Sequence, residues 1–396
     1  MHLKYSFHYI CLFKLFYYPK IKSMNFRPLT IAIFVFVSII SFGQQTNKDL
    51  QYKRYEGNIG SQISITANIV QLFDKLGGNY QYRYLEDDGS MYYGKTVELS
   101  GEIDKNDSAR LKEFGRKDYA FNGQMKDDVY TGSWNAPDNK KVAFEMKEYY
   151  PNGSMAFDVH YLRSEGKLKQ SEANSPVAEI ELALLYPKIK YFEPKIIDSV
   201  KQIITNSFFG SDFKTAVPDS MLVRFEKEYL DNYIKQNANW YESGASFNWE
   251  KSLSMSVIYN SSYMLCLEYL RYAYSGGSHG MTNISYDIIH LNNGRLLSYA
   301  DIFIEGADSS LSILLTKQLR RDYSIPDDVS LKQAGFFVDQ VEPNRNIYVD
   351  GNGIGFLFNS YEIAPYSQGA TNVFLEFKQI KELVKMGTTV FEMSHR

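Results

Sequence analysis

Two short stretches combine residue types that can do chemistry. In Tyr274-Ser275-Gly276-Gly277-Ser278-His279-Gly280, one imidazole stands among three glycines. Glycine permits φ > 0 and lets a backbone come close to a ligand or another strand. His279 can therefore line a surface site, or it can bond a backbone carbonyl and lock the turn. The second stretch is the loop Tyr361 to Gly369, in which Tyr361 and Tyr366 bracket Pro365. Rings on a short, stiff loop stack on sugars or fill a partner's cleft, and packing within the loop is the alternative. The chemistry on offer is recognition, with His279 and the two tyrosines on one binding edge.

Bond-breaking chemistry has less to stand on. His160, His279, His290 and His395 form no HxH or HExxH pattern, although His279 and His290, eleven residues apart, could converge on adjacent strands. The sequence reads as lacking a nucleophile elbow, and Ser278 and His279 would point oppositely as neighbours on a strand. Asp87-Asp88 and Asp327-Asp328 sit in turn contexts. Gly351-Asn352-Gly353-Ile354-Gly355 lacks the helix that a dinucleotide fingerprint needs. No catalytic residue, metal or cofactor is implied.

The elements that must hold these residues follow from patterning. A chain of 396 residues accommodates two domains. Its aromatic content of 15%, with 32 Tyr and 26 Phe, favours β-rich structure, and a net charge of −3 gives no field for nucleic acid or an anionic membrane. Ile63/Ile65, Tyr80/Tyr82/Tyr84, Val97/Leu99 and Val142/Phe144/Met146 alternate between turn signals such as Asp87-Asp88-Gly89 and Asn152-Gly153. They predict an N-terminal antiparallel β-domain over 46–165, a meander curved or closed like a barrel. Trp134 is its core anchor or a ligand platform. The polar stretch 165–176 reads as the boundary. Beyond it, a strand over Ala178–Tyr186 precedes helices from Pro194 and over Asp219–Gln236. Strands follow over Ser252–Asn260, Met264–Tyr274 and Ser285–Leu291, then a helix over Ser309–Asp322. Two strands, Gly355–Phe358 and Thr371–Phe377, flank the aromatic loop. The fold class is α+β, with a mainly antiparallel mixed sheet over 177–388.

Residues 1–45 read as a leader. Asn25-Phe26-Arg27 starts it, and Leu29–Phe42 is an apolar run shorter than the ~20 residues of a membrane helix. Cleavage near Gly43 is expected, with Met24 as the start; an anchor that stays attached is the alternative. The protein is then periplasmic or secreted, with no permanent membrane span. Cys11 falls in the leader, so Cys266 stands alone in an apolar run as a buried small hydrophobe.

Three motifs carry a family resemblance over about 177–385. They are Gly276-Gly277-Ser278-His279, Asn292-Asn293-Gly294-Arg295-Leu296-Leu297-Ser298-Tyr299-Ala300-Asp301-Ile302-Phe303 and Phe358-Asn359-Ser360-Tyr361-Glu362-Ile363-Ala364-Pro365-Tyr366-Ser367-Gln368-Gly369. Taken in order, they resemble the extracellular domain of anti-sigma factors of the RsiV type, which also accompanies peptidoglycan deacetylases of the PdaC type. The resemblance implies an exported envelope protein that binds a wall glycan or a wall-active protein such as lysozyme, without catalysis. The alternative is a cell-wall hydrolase or deacetylase-associated enzyme. The ligand-binding candidates are His279, Tyr361, Glu362, Pro365, Tyr366 and Gly369.

Overall fold

Alternating apolar residues drive a nine-strand antiparallel meander in the computed structural model, which describes residues 49–116, 118–137, 139–189, 192–239 and 247–396. The expected leader, with its cleavage point and Met24, lies outside these residues. The strands are β1 (Leu50–Ile59), β2 (Ile63–Leu72), β3 (Lys75–Leu85), β4 (Met91–Tyr93), β5 (Val97–Ile103), β6 (Ser108–Glu113), β7 (Ala120–Lys126), β8 (Val129–Asn135) and β9 (Lys141–Glu148). β1 pairs with both β2 and β9, and β3 pairs with both β2 and β5, so eight strands close into a barrel and β4 hangs on β3. Closure removes the free edges that an open sheet leaves. Tyr55, Leu99, Leu111, Phe121 and Tyr130 fill the interior, all almost fully buried. At one end Glu113 accepts hydrogen bonds from Tyr80 Oη (2.6 Å), Trp134 Nε1 (2.9 Å) and Arg116 Nη1 (2.9 Å). Trp134 thus anchors that end of the barrel core.

The second sheet runs β10 (Phe157–Lys167), β11 (Val177–Pro187), β12 (Trp249–Ser261), β13 (Met264–Tyr274), β14 (Met281–His290) and β15 (Arg295–Leu296). Only β11 and β12 are parallel. Two helices cross between them, α1 (Pro194–Phe209) and α2 (Pro218–Asn237), each with Pro in its first turn, where the missing N–H costs nothing. Of residues 165–176, where composition reads as a boundary, 165–167 end β10 and 168–176 connect it to β11 within this sheet, with Leu168 N–H bonding the Pro176 carbonyl at 2.9 Å. A polar hairpin connection and a polar linker have the same composition. The chain passes from barrel to second sheet over 149–156.

On the far face of β12–β14, helices α3 (Tyr299–Ile302) and α4 (Ala307–Asp322) and a small sheet of β16 (Ile347–Val349), β17 (Gly353–Phe358) and β18 (Thr371–Glu376) enclose another core. Cys266 is fully buried there, and burial pushes its thiol up. β17 is buried along its whole length and pairs antiparallel with β18, where Val373 and Leu375 face inward. Among the described residues no helix is long and apolar enough to cross a membrane.

The barrel wall and the second sheet share a buried polar seam. Tyr52 Oη donates to Asn68 Oδ1 (2.8 Å), and Asn260 Nδ2 donates to Tyr52 Oη (2.9 Å). Asn79 Nδ2 donates to the Val257 carbonyl (2.7 Å), and Arg54 Nε to that of Asn260 (2.8 Å). Thr96 Oγ1 donates to Asp350 Oδ2 at 2.7 Å. Buried polar groups cost stability unless bonded, and these are bonded across the two halves.

Candidate functional site

The β13–β14 turn and the loop between β17 and β18 meet. Gly276 and Gly277 both have φ of 95°, a conformation that L side chains rarely adopt, and they fold the turn so that His279 lies across the loop. The His279 ring stacks on Tyr366 with centroids 3.8 Å apart and planes 17° apart. Tyr361 stacks on Tyr366 at 5.7 Å, and its hydroxyl lies 3.4 Å from His279 Nε2. Tyr366 Oη donates to the Gly280 carbonyl at 2.8 Å, tying loop to turn. A side chain at Gly280 would run into the Tyr272 ring at 2.4 Å, so the close approach needs glycine there.

Local rules shape the loop. Pro365, at φ −65°, opens a short 3₁₀ turn over Tyr366–Gln368, and Gly369, at φ 71°, ends it. Tyr361 holds a left-handed backbone at φ 73° and is 51% exposed. Beneath it, Asn359 and Asn346 bond the outer edge of β14. Asn359 Oδ1 accepts from Ile284 N–H (2.8 Å), and Asn346 Nδ2 donates to the Ile284 carbonyl (2.8 Å). These amides replace a missing neighbour strand, because β14 pairs with β15 only at Ile289 and His290.

Of the residues singled out in the sequence, His279, Tyr361 and Tyr366 come together as one aromatic stack, with Pro365 and Gly369 as its frame, and His279 Nδ1 also lies 3.1 Å from the Gly280 carbonyl, the turn-locking contact that was the alternative. Glu362 is exposed and turns to the amides of Asn344 (3.3 Å) and Asn359 (3.5 Å) instead of to the imidazole. Asn346 and Asn359 were missed. A run of asparagines beside an aromatic loop is the available signal, since Asn caps backbone where strands end. The convergence of His279 and His290 does not occur. They lie at opposite ends of β14, roughly 30 Å apart at ~3.3 Å per residue, and His290 bonds Thr389 Oγ1 at 3.0 Å.

Gly276-Gly277-Ser278-His279-Gly280 has G-x-S-x-G spacing, which corrects the sequence reading. It lies in a strand-to-strand hairpin, so the strained strand-to-helix elbow that presents a nucleophilic serine is not formed. Among the described residues no group of three or more His, Cys, Asp or Glu converges as a metal site would require.

Strongly perturbed carboxyls occur at the seam between barrel and second sheet. Burial and the neighbouring Glu268 push Glu98 up to about 7. Burial also raises Glu268, against hydrogen bonds from Tyr286 (2.9 Å) and Ser256 (3.1 Å). Glu268 borders an apolar cavity of about 70 Å³ with Leu72, Leu185 and Met255, too small for a substrate beside the ~300 Å³ or more of usual ligand sites.

Residues 172–282 match the family model described as deacetylase PdaC, and residues 300–378 match the protein family of unknown function DUF3298. The barrel lies outside both. Over 234 residues the chain is 22% identical to the peptidoglycan-N-acetylmuramic acid deacetylase PdaC of Bacillus subtilis, covering 58% of this chain and 47% of that protein. The chain thus spans about half the length of that curated relative. A crystal structure of a DUF3298 family member from Bacteroides fragilis covers 62% of this chain and all of its own, with 22% identity and a TM-score of 0.58. A DUF3298 family protein from Pseudomonas aeruginosa covers 58% of this chain and 95% of its own, with 17% identity and a TM-score of 0.42. The chain is therefore similar in sequence to a PdaC-type segment followed by a DUF3298 segment, and it shares the fold of the Bacteroides protein.

Proposed function

We propose that this is an exported cell-envelope protein, periplasmic or secreted, that recognises a wall component without chemically altering it. The ligand is a peptidoglycan glycan or a wall-active protein of the lysozyme kind, as the RsiV-type resemblance implies. The observation that carries the reading is the His279–Tyr366–Tyr361 stack, three planar rings held on two stiff turns with Tyr361 facing solvent. Prior rigidity lowers the ordering cost of binding, and an aromatic face suits either a pyranose or a protein cleft. The likeness to a peptidoglycan deacetylase supports the wall as the setting.

That same likeness favours a second reading, a part in deacetylating or cleaving wall glycan. The two separate on one variant. Incubation with N-acetylated peptidoglycan fragments should release no acetate and no shortened glycan, while the protein should capture fragments or lysozyme on a surface. Turnover that disappears in His279→Ala, in a protein that still folds, would replace the binding reading with the enzymatic one.

A further inference from the structure

The outer wall of the barrel carries a cleft away from the aromatic loop. Over residues 54–58 of β1, 64–68 of β2 and 79–83 of β3 the alternate, outward residues are polar, whereas further along Tyr52, Val70 and Leu72 face outward into the core shared with the second sheet. Register sets them in rows. Arg54, Asn68 and Asn79 face one another across the strands, then Glu56, Thr66 and Gln81, then Asn58, Ser64 and Arg83, with Tyr93 of β4 beside Arg83. The first row is buried in the seam with the second sheet. The other two rows floor a cleft of about 420 Å³, whose far wall includes Tyr259, Ser261 and Gly351. That volume falls within the usual range for small-molecule sites. A side chain at Gly351 would meet Gln81 Oε1 at 2.7 Å, so the Gln81 amide would have to shift to admit one.

The groups in the cleft specify the occupant. Ser64 Oγ donates to Asn58 Oδ1 (3.2 Å) and Gln81 Nε2 to Thr96 Oγ1 (3.0 Å), which leaves the Ser64 oxygen and Gln81 carbonyl as acceptors and Asn58 Nδ2 as a donor; with the Thr66 hydroxyl, a tyrosine ring and the Arg396 guanidinium at the rim, they complement a polyhydroxylated acidic ring. The Glu56 charge is already held by buried Arg54, at 2.8 Å. Arg83 is exposed at the cleft and is in no ion pair among the described residues, leaving a planar fork for a carboxylate. A peptide strand would need a free sheet edge, and the floor strands are paired on both sides. We propose that this cleft binds an acidic saccharide of one or two pyranose units, with Arg83 on the carboxylate and Thr66, Ser64 and Asn58 on ring hydroxyls. It lies by the Gly351 end of β17, whereas the aromatic loop leaves the Phe358 end, so the two sites are separate.

The test uses a pair of ligands that differ in one acid group. Calorimetric titration of the full protein with the disaccharide N-acetylglucosaminyl-N-acetylmuramic acid should show binding at about 1 mM or tighter. N,N′-diacetylchitobiose, which lacks the lactyl carboxylate, should bind at least ~10-fold more weakly. Arg83→Gln is an exposed change that should keep the melting temperature and weaken the acidic sugar by ~10-fold or more. Absence of binding, equal binding of the two sugars, or retention of full affinity by Arg83→Gln would each overturn the proposal.

Discussion

Tyr361 presents an exposed ring from a left-handed backbone, and Tyr366 sits behind it as the tie between loop and turn. These positions separate recognition from stability. Removing the Tyr366 ring loses a stacked partner, ~1 kcal/mol, and a hydrogen bond of similar worth, so Tyr366→Ala should cost about 2 kcal/mol in denaturant unfolding. Tyr366→Phe keeps the stack and should cost about half of that. If both variants unfold like the parent protein, the tie carries no weight. The meeting of His279 with the loop was legible from glycines on one side and Pro365 on the other, because both are residues that force tight turns. The turn of Glu362 away from the imidazole was not, since it depends on amides at Asn344 and Asn359 that no local pattern places in space.

At the scale of elements, β10 decides what the C-terminal half can do alone. It pairs with β11 over eleven positions, from Phe157↔Pro187 to Lys167↔Val177, and Phe157 is buried in the shared core. A fragment beginning at 177 loses that strand and its aromatic anchor, a loss of roughly 3–5 kcal/mol for the ring alone. Thermal melts followed by circular dichroism should show a cooperative transition for a fragment beginning at 153 and none for one beginning at 177. Equal melts would mean that β10 is dispensable. The helices were readable because Pro194 fixes a first turn and Ile197, Val200 and Ile204 recur with helical spacing. β17 and β18 were readable from an all-apolar run followed by alternation. The place of β10 was not readable, for its polar residues suit an edge strand in either half. The outward rows of β1–β3 look from sequence like an ordinary solvated face, and only the second sheet lying over them makes a cleft.

For the whole molecule, the seam makes stability depend on pH. Glu98 is pushed up to about 7 from an ordinary 4.5, and Glu268 is raised as well, so the folded state holds protons that the unfolded chain releases. Their effect is therefore neutral below about 4.5, destabilises progressively as pH rises toward about 7, and levels off above. Glu98 is exposed by its accessible surface even though its carboxyl lies near Glu268, so solvent screening keeps its own share of the effect small. Urea unfolding across that range should show stability falling with pH, with a shallower fall in Glu98→Gln; an identical slope in that variant would remove Glu98 from the account. The larger claim is that the molecule is a rigid platform, barrel and sheet welded by buried amides, that presents one aromatic stack to a wall ligand. Tyr361→Gly tests it most directly. Glycine relieves the left-handed backbone at a comparable entropic cost, so folding should be nearly unchanged. The measurement is the affinity of the folded variant for lysozyme and for soluble muropeptides beside that of the parent protein, with a melt on the same samples. The account predicts about thirtyfold weaker binding of the recognised ligand, ~2 kcal/mol, at an unaltered melting temperature. Equal affinity in the parent and in Tyr361→Gly, or a parent protein that binds neither ligand, would contradict it.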